Sequence, residues 1–267
     1  MDTQKSCYLF FDLDGTVLVD GKLPREHLDA MRAAQALGHK LILCTGRSCG
    51  MFELVRDLVK DVPWNGMIFG GADIRFEGEI LSQKCFPPER VFEWLEFCME
   101  HRYFFGYEGQ VTFFPIKFHE LKAPMAEEQK EHYRAWIKRE MEEGNPPTKI
   151  AVFENRERLD VSKIPLSLDG AIVHERYIEI FAPDCNKGEA IKIFCQTKGV
   201  DVKQCVAFGD SLNDCDMFKV CPTSVCMKPS HEELVGMSSY HAKGDYGVAE
   251  GILWLFGDKI QLTNTQK

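Results

Sequence analysis

The chain contains 267 residues, 45% hydrophobic and 27% charged, and these globular proportions exclude collagen-like, coiled-coil and wholly disordered chains. Acidic residues number 41 against 32 lysines and arginines, which gives a net charge of −9 at pH 7. Such a charge repels phosphate backbones and anionic membrane surfaces, so the composition argues against nucleic-acid and membrane partners.

The N-terminal part of the chain predicts alternating strands and helices. A continuous apolar run at residues 7–13 is typical of a strand that is buried on both faces of a parallel sheet. Apolar residues then recur at helical spacing between Pro24 and Gly38. A strand at 40–44, a helix at 51–59 and a strand at 66–69 follow. This alternation indicates a doubly wound α/β sheet.

The middle of the chain predicts a different architecture, because the alternation stops near residue 73. A small hairpin is expected at 73–84, with its turn at Glu77-Gly78. The remaining segments predicted in this block are helices at 89–101 and 125–143 and strands at 103–107, 111–116, 149–153, 170–174 and 177–181. They predict an α+β domain built around an antiparallel sheet.

Strand and helix alternation resumes after Pro183. The predicted elements are helices at 187–198, 214–220 and 246–256 and strands at 205–208 and 224–227. The sequence therefore predicts an α/β fold, a doubly wound and mostly parallel sheet, interrupted by an inserted α+β domain.

The cysteines and the N-terminus indicate a reducing compartment. The eleven cysteines are odd in number and dispersed, and no two of them have the C-x-x-C spacing of a zinc or redox site. We interpret them as reduced, small core residues. The apolar run at residues 8–11 is too short for a secretory signal, and no run approaches the length of a membrane span. We expect a cytoplasmic protein.

Carboxylates, glycines and a lysine follow the predicted core strands or begin a helix. These segments are Asp12-Leu13-Asp14-Gly15-Thr16, Thr45-Gly46-Arg47, Asn186-Lys187-Gly188 and Gly209-Asp210-Ser211-Leu212-Asn213-Asp214. Parallel sheets bind ligands at the carboxyl ends of their strands, so we expect these groups to converge at one edge.

The chemistry of these groups suits phosphoryl transfer. A carboxylate can attack phosphorus, a second acid can protonate the leaving oxygen, and Mg²⁺ held by carboxylate oxygens can offset the negative charge. A lysine, a hydroxyl and backbone N–H groups can hold the phosphoryl oxygens. No catalytic serine, cysteine or histidine is required.

With these four motifs in this order, the chain resembles the haloacid dehalogenase (HAD) superfamily of phosphatases. The likeness covers nearly the whole chain and is greatest to the Cof-type branch, which has a large cap inserted between its second and third motifs. It implies a HAD-like Rossmannoid core of residues 1–82 and 184–267 and an α+β cap domain of residues 83–183. Residues 247–252 also resemble the closing helix of this branch.

The resemblance implies that Asp12 is the nucleophile and that Asp14 is first the general acid and then the base that activates water. It implies a Mg²⁺ ion bound by the Asp12 carboxylate, the Asp14 backbone carbonyl and the Asp210 carboxylate. Asp214 or Asn213 would lie next to these ligands, without binding the ion directly.

The resemblance also implies a phosphate-binding set, in which Lys187 has a catalytic role as well. Its members are Thr45, Gly46, Arg47, Lys187 and Asn213. Arg47 has two interpretations, contact with the substrate or anchoring of its own loop.

The implied function is Mg²⁺-dependent hydrolysis of a small phosphorylated metabolite, such as a sugar phosphate, through an aspartyl-phosphate. A phosphomutase that uses the same intermediate and a non-catalytic sugar-phosphate-binding protein are the alternatives. We expect a monomer or a small homo-oligomer.

One position departs from the family pattern, and several candidates lie in the inserted domain. Gly70 stands where related sequences usually have Asn, which leaves substrate contacts near it open. In the family the cap selects the leaving group, and the candidates for that role here are Tyr107, Glu108, Arg176 and Tyr177.

Overall fold

The computed structural model describes residues 6–110, 113–120, 125–153, 164, 166–168, 171–173 and 177–260. The chain divides into two compact units. The first comprises residues 1–46, 55–82 and 186–267, and the second comprises residues 47–54 and 83–185.

Helices and strands alternate along the first unit, whereas the second unit combines helices with an antiparallel sheet. In chain order the helices are α1 (Arg25–Ala36), α2 (Cys49–Glu53), α3 (Pro88–His101), α4 (Glu127–Glu142), α5 (Lys187–Lys198), α6 (Cys215–Val220), α7 (Glu232–Met237) and α8 (Gly247–Phe256). The strands are β1 (Tyr8–Phe11), β2 (Lys40–Thr45), β3 (Gly66–Phe69), β4 (Asp73–Phe76), β5 (Glu79–Gln83), β6 (Phe104–Gly109), β7 (Phe113–Lys117), β8 (Pro147–Phe153), β9 (Ala171–Val173), β10 (Tyr177–Phe181), β11 (Cys205–Gly209), β12 (Thr223–Cys226) and β13 (Tyr240–His241).

The first unit contains an eight-stranded sheet in the order β13-β12-β11-β1-β2-β3-β4-β5. The strands from β13 to β3 pair in parallel, and β4 pairs antiparallel with β3. At the centre of the sheet, Phe11 is in register with Phe208 on one side and with Leu43 on the other. The predicted doubly wound, mostly parallel sheet is confirmed, and this register aligns the ends of its three central strands.

The helix α1 and the hairpin of β4 and β5 illustrate why the predicted elements form. In α1 the buried residues His27, Ala30, Met31 and Ala34 follow the spacing of one helical face. The predicted hairpin between β4 and β5 is confirmed. Its turn places Glu77 and Gly78 at φ 49° and 87°, the left-handed values that two-residue hairpin turns require.

The predicted helix at 51–59 is wrong in its second half. The helix α2 ends at Glu53, and a separate 3₁₀ turn covers Arg56–Leu58. Leu54 is 68% exposed, so the apolar residues of this segment do not share one buried face. The pattern also missed α7 and β13, which are too short to show a period.

The second unit contains a five-stranded sheet in the order β7-β6-β8-β10-β9, with all neighbours antiparallel. Alternate residues of β6 and β8, such as Phe105 and Ile150, are fully buried. Trp94 of α3 is also fully buried. This is the predicted α+β architecture. Within the described residues, no helix is both long enough and apolar enough to cross a lipid bilayer.

Candidate active site

The ends of β1, β2 and β11 bring the predicted residues to one edge of the first unit's sheet. Asp12 directly follows β1, Thr45 ends β2 and Asp210 directly follows β11. The backbone N–H of Asp12 donates to the carbonyl of Phe208 at 2.9 Å, which continues the strand pairing by one residue. Sheet register therefore places these three exits side by side, as the sequence predicts.

Lys187 joins two carboxylates at this edge. Its Nζ lies 2.5 Å from Oδ1 of Asp12 and 2.6 Å from Oδ1 of Asp214. All three side chains are buried. Lys187 is the first residue of α5, and the side chain of Asn186 caps this helix by accepting from the N–H of Glu189. The cap fixes the helix start and so aims Lys187 at the ends of the strands.

Burial and neighbouring charges shift the pKa values of Asp12 and Lys187. Burial raises the pKa of Asp12 well above its usual range, with the charges of Asp214 and Asp210 adding to the rise and Lys187 opposing it. Burial alone would lower the pKa of Lys187, but the carboxylates of Asp12 and Asp214 raise it overall. Lys187 is therefore a permanent positive charge beside Asp12 at physiological pH.

Asp210 is half-buried beside this group. Its Oδ1 accepts a hydrogen bond from Oγ1 of Thr16 at 2.9 Å. Burial, and next the charge of Asp214, raise the pKa of Asp210 to about 6. The Oδ2 atom of Asp214 accepts from the backbone N–H groups of Asp210 and Ser211 at 3.0 and 3.1 Å. Asp214 thus fixes the backbone that carries Asp210.

The carboxylates of Asp12, Asp210 and Asp214 offer oxygen atoms that all lie within 4.8 Å of one another. In the described part of the chain, no other His, Cys, Asp or Glu cluster reaches this arrangement. Carboxylate oxygens are the ligands of hard divalent cations, and the pKa of Asp210 is raised first by burial and then by the charge of Asp214. The donor set therefore fits such a cation.

Asp214, a predicted supporting residue, and Asp14, the predicted general acid, have different environments in the structure. Both oxygens of Asp214 already have partners, Lys187 on one side and backbone N–H groups on the other. The Asp14 side chain is exposed and lies outside the carboxylate cluster. This arrangement leaves Asp14 accessible to a substrate, as a proton donor must be.

Gly15 separates Asp14 from Thr16 and is required by geometry. Its φ of 87° is left-handed, and a Cβ at this position would lie 2.5 Å from Oδ2 of Asp210. Any other residue here would displace the Asp210 carboxylate. Gly15, in the first motif, therefore leaves free the space that the side chain of Asp210, in the fourth motif, occupies.

Thr45, Gly46 and Asn213 also come together. Thr45 is buried at the end of β2, and its carbonyl accepts from the N–H of Gly70 at 2.9 Å. A Cβ on Gly46 would lie 3.3 Å from Nδ2 of Asn213, so the two residues are neighbours. Arg47 belongs to the second compact unit, and its phosphate-binding role stays a prediction.

The departure at Gly70 preserves the backbone and removes a side chain. Gly70 has a φ of 55°, in the left-handed region that asparagine tolerates best among the other residues. Glycine therefore meets the same backbone requirement as the family's Asn but offers no amide to a substrate.

The cap candidates have different environments within the second unit. Tyr107 is fully buried, and its hydroxyl donates to the carbonyl of Asn145 at 2.7 Å, so it packs the interior of this unit. Glu108 pairs with Lys149 at 3.2 Å, and Lys149 pairs with Glu179 at 2.7 Å. Tyr177 is half-buried at the start of β10. Arg176 lies outside the described residues.

The sequence did not predict the partners of Thr16 or of Lys149. Thr16 stands inside the first motif, but its partner Asp210 is 194 residues away and no local signal connects them. Lys149 is buried between two acids of neighbouring strands. A lysine inside an otherwise apolar strand segment was the one available signal for this cluster.

Comparisons with known proteins agree with this geometry. Residues 9–252 match the family model of the haloacid dehalogenase-like hydrolases. The chain is 24% identical over 276 residues to YxeH of Bacillus subtilis, which is named as a phosphatase, covering 90% of this chain and 95% of YxeH. It is 24% identical over 226 residues to the HMP-PP phosphatase of Klebsiella pneumoniae, covering 78% of each chain. The solved structure of the HAD subclass IIB sugar phosphatase BT4131 has the same fold, with a TM-score of 0.71, 18% identity and coverage of 94% of this chain and 99% of that one.

Proposed function

Because the chain belongs to the haloacid dehalogenase-like hydrolase family and is a phosphatase, we propose that it hydrolyses a small phosphomonoester through an aspartyl-phosphate on Asp12. One observation carries the proposal: the Asp12 carboxylate lies at a strand end, 2.5 Å from a buried lysine and within a cluster of acids. A sugar phosphate or a similar metabolite is the proposed substrate, supported by likeness to proteins named as a sugar phosphatase and an HMP-PP phosphatase.

The first step is attack by the Asp12 carboxylate on phosphorus. A bond forms between an Asp12 oxygen and phosphorus, and the bond from phosphorus to the leaving oxygen breaks. Asp14, whose side chain is exposed, donates its proton to that oxygen. The free alcohol and an aspartyl-phosphate result.

The second step is hydrolysis of the aspartyl-phosphate. Asp14, now a carboxylate, takes a proton from water, and the water oxygen attacks phosphorus. The bond from phosphorus to the Asp12 oxygen breaks, which releases inorganic phosphate. Asp12 is again a carboxylate and Asp14 is again protonated. Lys187 holds its positive charge beside Asp12 throughout.

A divalent cation, which enzymes of this family generally use, fits this site, and we propose Mg²⁺. The Asp12 and Asp210 side chains and the Asp14 backbone carbonyl would hold it, with Asp214 fixing the Asp210 backbone. When bound, Mg²⁺ offsets the negative charge that the phosphoryl group brings to Asp12. Thr45, Gly46, Lys187, Asn213 and Arg47 are the proposed phosphate-binding residues.

We propose that residues 83–183 form a cap that selects the leaving group, with residues 1–82 and 184–267 as the catalytic core. Glu108 and Tyr177 remain candidates for that selection, because both lie on the second unit's sheet. A cytoplasmic location is also proposed. It is supported by the eleven cysteines, none of which forms a disulfide bond. A monomer or a small homo-oligomer remains the expected state.

Release of inorganic phosphate tests this function. We expect hydrolysis of one class within a panel of hexose, pentose, nucleotide and pyridoxal phosphates, with activity lost on chelation and restored by Mg²⁺. A phosphomutase would instead move the phosphate between positions of one sugar with little free phosphate. No release from any phosphomonoester in Mg²⁺ would contradict the proposal.

Replacing Thr16 by Val is expected to weaken Mg²⁺ binding about 10- to 100-fold, because the Asp210 carboxylate loses the hydroxyl that orients it. Titration calorimetry with MgCl₂ measures the affinity. Thr16→Ser retains the hydroxyl and is the matched control, expected to bind with nearly wild-type affinity. Equal affinity in Thr16→Val and the wild type would show that this hydrogen bond does not position a metal ligand.

Replacing Tyr107 by Phe is expected to lower the free energy of unfolding by about 1 kcal/mol and to leave kcat and KM unchanged. The reason is that the hydroxyl bonds only within the second unit, to the carbonyl of Asn145. Urea unfolding and steady-state kinetics give the two readouts. A KM that rises for particular substrates, with stability unchanged, would return Tyr107 to the candidates for leaving-group selection.

A further inference from the structure

Two thiols of the first unit are in contact. Cys195 lies near the end of α5, and Cys205 is the first residue of β11. Their Sγ atoms are 3.4 Å apart, close enough for one thiol to hydrogen-bond to the other. Cys195 is 8% exposed and Cys205 is fully buried. No step of the proposed phosphatase reaction uses either residue.

We propose that Cys195 and Cys205 are a modification site, which hydrogen peroxide converts into a reversible disulfide. A disulfide joins sulfurs at about 2.05 Å, so the two Sγ atoms must approach by roughly 1.4 Å, a movement on the scale of a side-chain rotation. Both residues belong to one compact unit, so the bond would lie within that unit.

The reaction proceeds in two balanced steps. The Cys195 thiol loses its proton and the thiolate attacks one oxygen of hydrogen peroxide. The O–O bond breaks, and the products are a sulfenic acid on Cys195 and hydroxide, which takes up the released proton to give water. The Cys205 sulfur then attacks the Cys195 sulfur and forms the S–S bond, and the Cys205 thiol proton leaves with the sulfenic hydroxyl as a second water. Both sulfurs are oxidised and the peroxide supplies the two oxygen atoms that leave as water.

Environment distinguishes the attacking thiol from the resolving one. The hydrogen bond with Cys205 lowers the pKa of Cys195, against the opposing effects of burial and of the charge of Asp201. The same hydrogen bond, with burial, raises the pKa of Cys205. Cys195 is also the more exposed of the two. Peroxide therefore reaches and reacts with Cys195, and Cys205 is the group next to the sulfenic acid.

Other cysteines nearby supply controls. Cys221 and Cys7 also contribute to the raised pKa of Cys205. The described cysteines and histidines form no cluster of three ligands at metal-binding distance, so a metal does not explain these thiols. Cys221 is thus the alternative resolving thiol, and it can be tested directly.

The proposed disulfide would link α5 to β11, and residues of the candidate active site lie on or next to both elements. Helix α5 begins with Lys187, and Asp210 directly follows β11. The thiol pair takes no part in the proposed phosphatase chemistry, so its oxidation can be tested without a substrate.

The experiment uses the reduced full-length protein treated with one equivalent of hydrogen peroxide. The remaining thiols are blocked with N-ethylmaleimide, and a non-reducing tryptic digest is analysed by mass spectrometry. Cys195 falls in peptide 193–198 and Cys205 in peptide 204–219. We expect these two peptides to be linked, lighter by two hydrogen atoms than their sum, and to separate on treatment with dithiothreitol.

Variants assign the bond to its residues. Peptide 204–219 also contains Cys215, so Cys215→Ala is the matched control and should retain the link, as should Cys221→Ala. Cys195→Ala and Cys205→Ala should each lose it, and in Cys205→Ala dimedone should trap the sulfenic acid on Cys195. Absence of the link in the wild-type protein, its persistence in Cys205→Ala, or a bond from Cys195 to Cys221 would overturn the inference.

Discussion

Replacing Asp12 by Asn is expected to reduce phosphate release by about four orders of magnitude, a loss typical of removing a nucleophile. The amide is a poor nucleophile, and the exposed Asp14 side chain lies outside the carboxylate cluster and so does not replace it. The structure should persist, because an Asn oxygen can still accept the hydrogen bond from Lys187. Phosphate release under saturating Mg²⁺ measures the effect.

Asp216→Asn is the matched control for this variant. Asp216 lies close to the fourth motif, but its side chain is 44% exposed and pairs with Lys219. We expect nearly wild-type activity from it. If Asp12→Asn retained more than a few per cent of the wild-type rate while Asp216→Asn was normal, Asp12 would not be the nucleophile.

Replacing Lys187 by Met is expected to cause the largest loss of stability, about 3 to 5 kcal/mol in the free energy of unfolding. The substitution leaves two buried carboxylates, Asp12 and Asp214, without the cation that both contact. Activity should fall along with stability, because the same cation faces the nucleophile. Lys192→Met, which removes a 57% exposed lysine from the same helix, is the control and should be nearly neutral.

The pH dependence of Lys187→Met follows because burial raises the pKa of Asp12 and Lys187 opposes that rise, so removing the lysine raises this pKa further. A carboxyl whose pKa is higher in the folded than in the unfolded protein favours the folded state when protonated. Its penalty appears as the pH rises above the unfolded pKa. The variant should therefore lose more stability at about pH 8 than at about pH 5 relative to the wild type, as measured by urea unfolding. A pH-independent difference would indicate lost packing instead of an unpaired charge.

The fold was accessible from sequence where elements are buried and regular. The strand β3 and the helix α5 have the predicted bounds, because continuous apolar runs and a capped amphipathic segment are unambiguous local signals. The segment after Gly46 was less accessible. Its apolar residues suggested one helix, but Leu54 faces solvent and α2 ends one residue earlier.

The motifs predicted which residues lie at the candidate site, but they did not predict the contacts between those residues. Strand exits and glycines identify Asp12, Thr45 and Asp210 from the local sequence alone. The partners of Lys187 depend on register between strands that are distant in sequence, as the contact with Asp12 across 175 positions shows. The hydrogen bond from Thr16 to Asp210 has the same origin. Such contacts follow from the sheet and carry no local signature.

The cysteines show the same limit. Composition predicts reduced core residues; none of the eleven forms a disulfide bond, and all but Cys85 are buried. Contact between Cys195 and Cys205 depends on how α5 packs beside β11, which residue spacing alone does not specify.

Locating the phosphoryl group during turnover tests the proposed aspartyl-phosphate on Asp12 most directly. In an Asp14→Asn variant, acetyl phosphate can still phosphorylate the enzyme because its leaving group needs no proton, whereas hydrolysis lacks its base. After acid quenching, mass spectrometry of peptide 6–22 should show one added phosphoryl group, and fragmentation should assign it to Asp12. A phosphoryl group on another residue, or none while acetyl phosphate is consumed, would contradict an aspartyl-phosphate mechanism at Asp12.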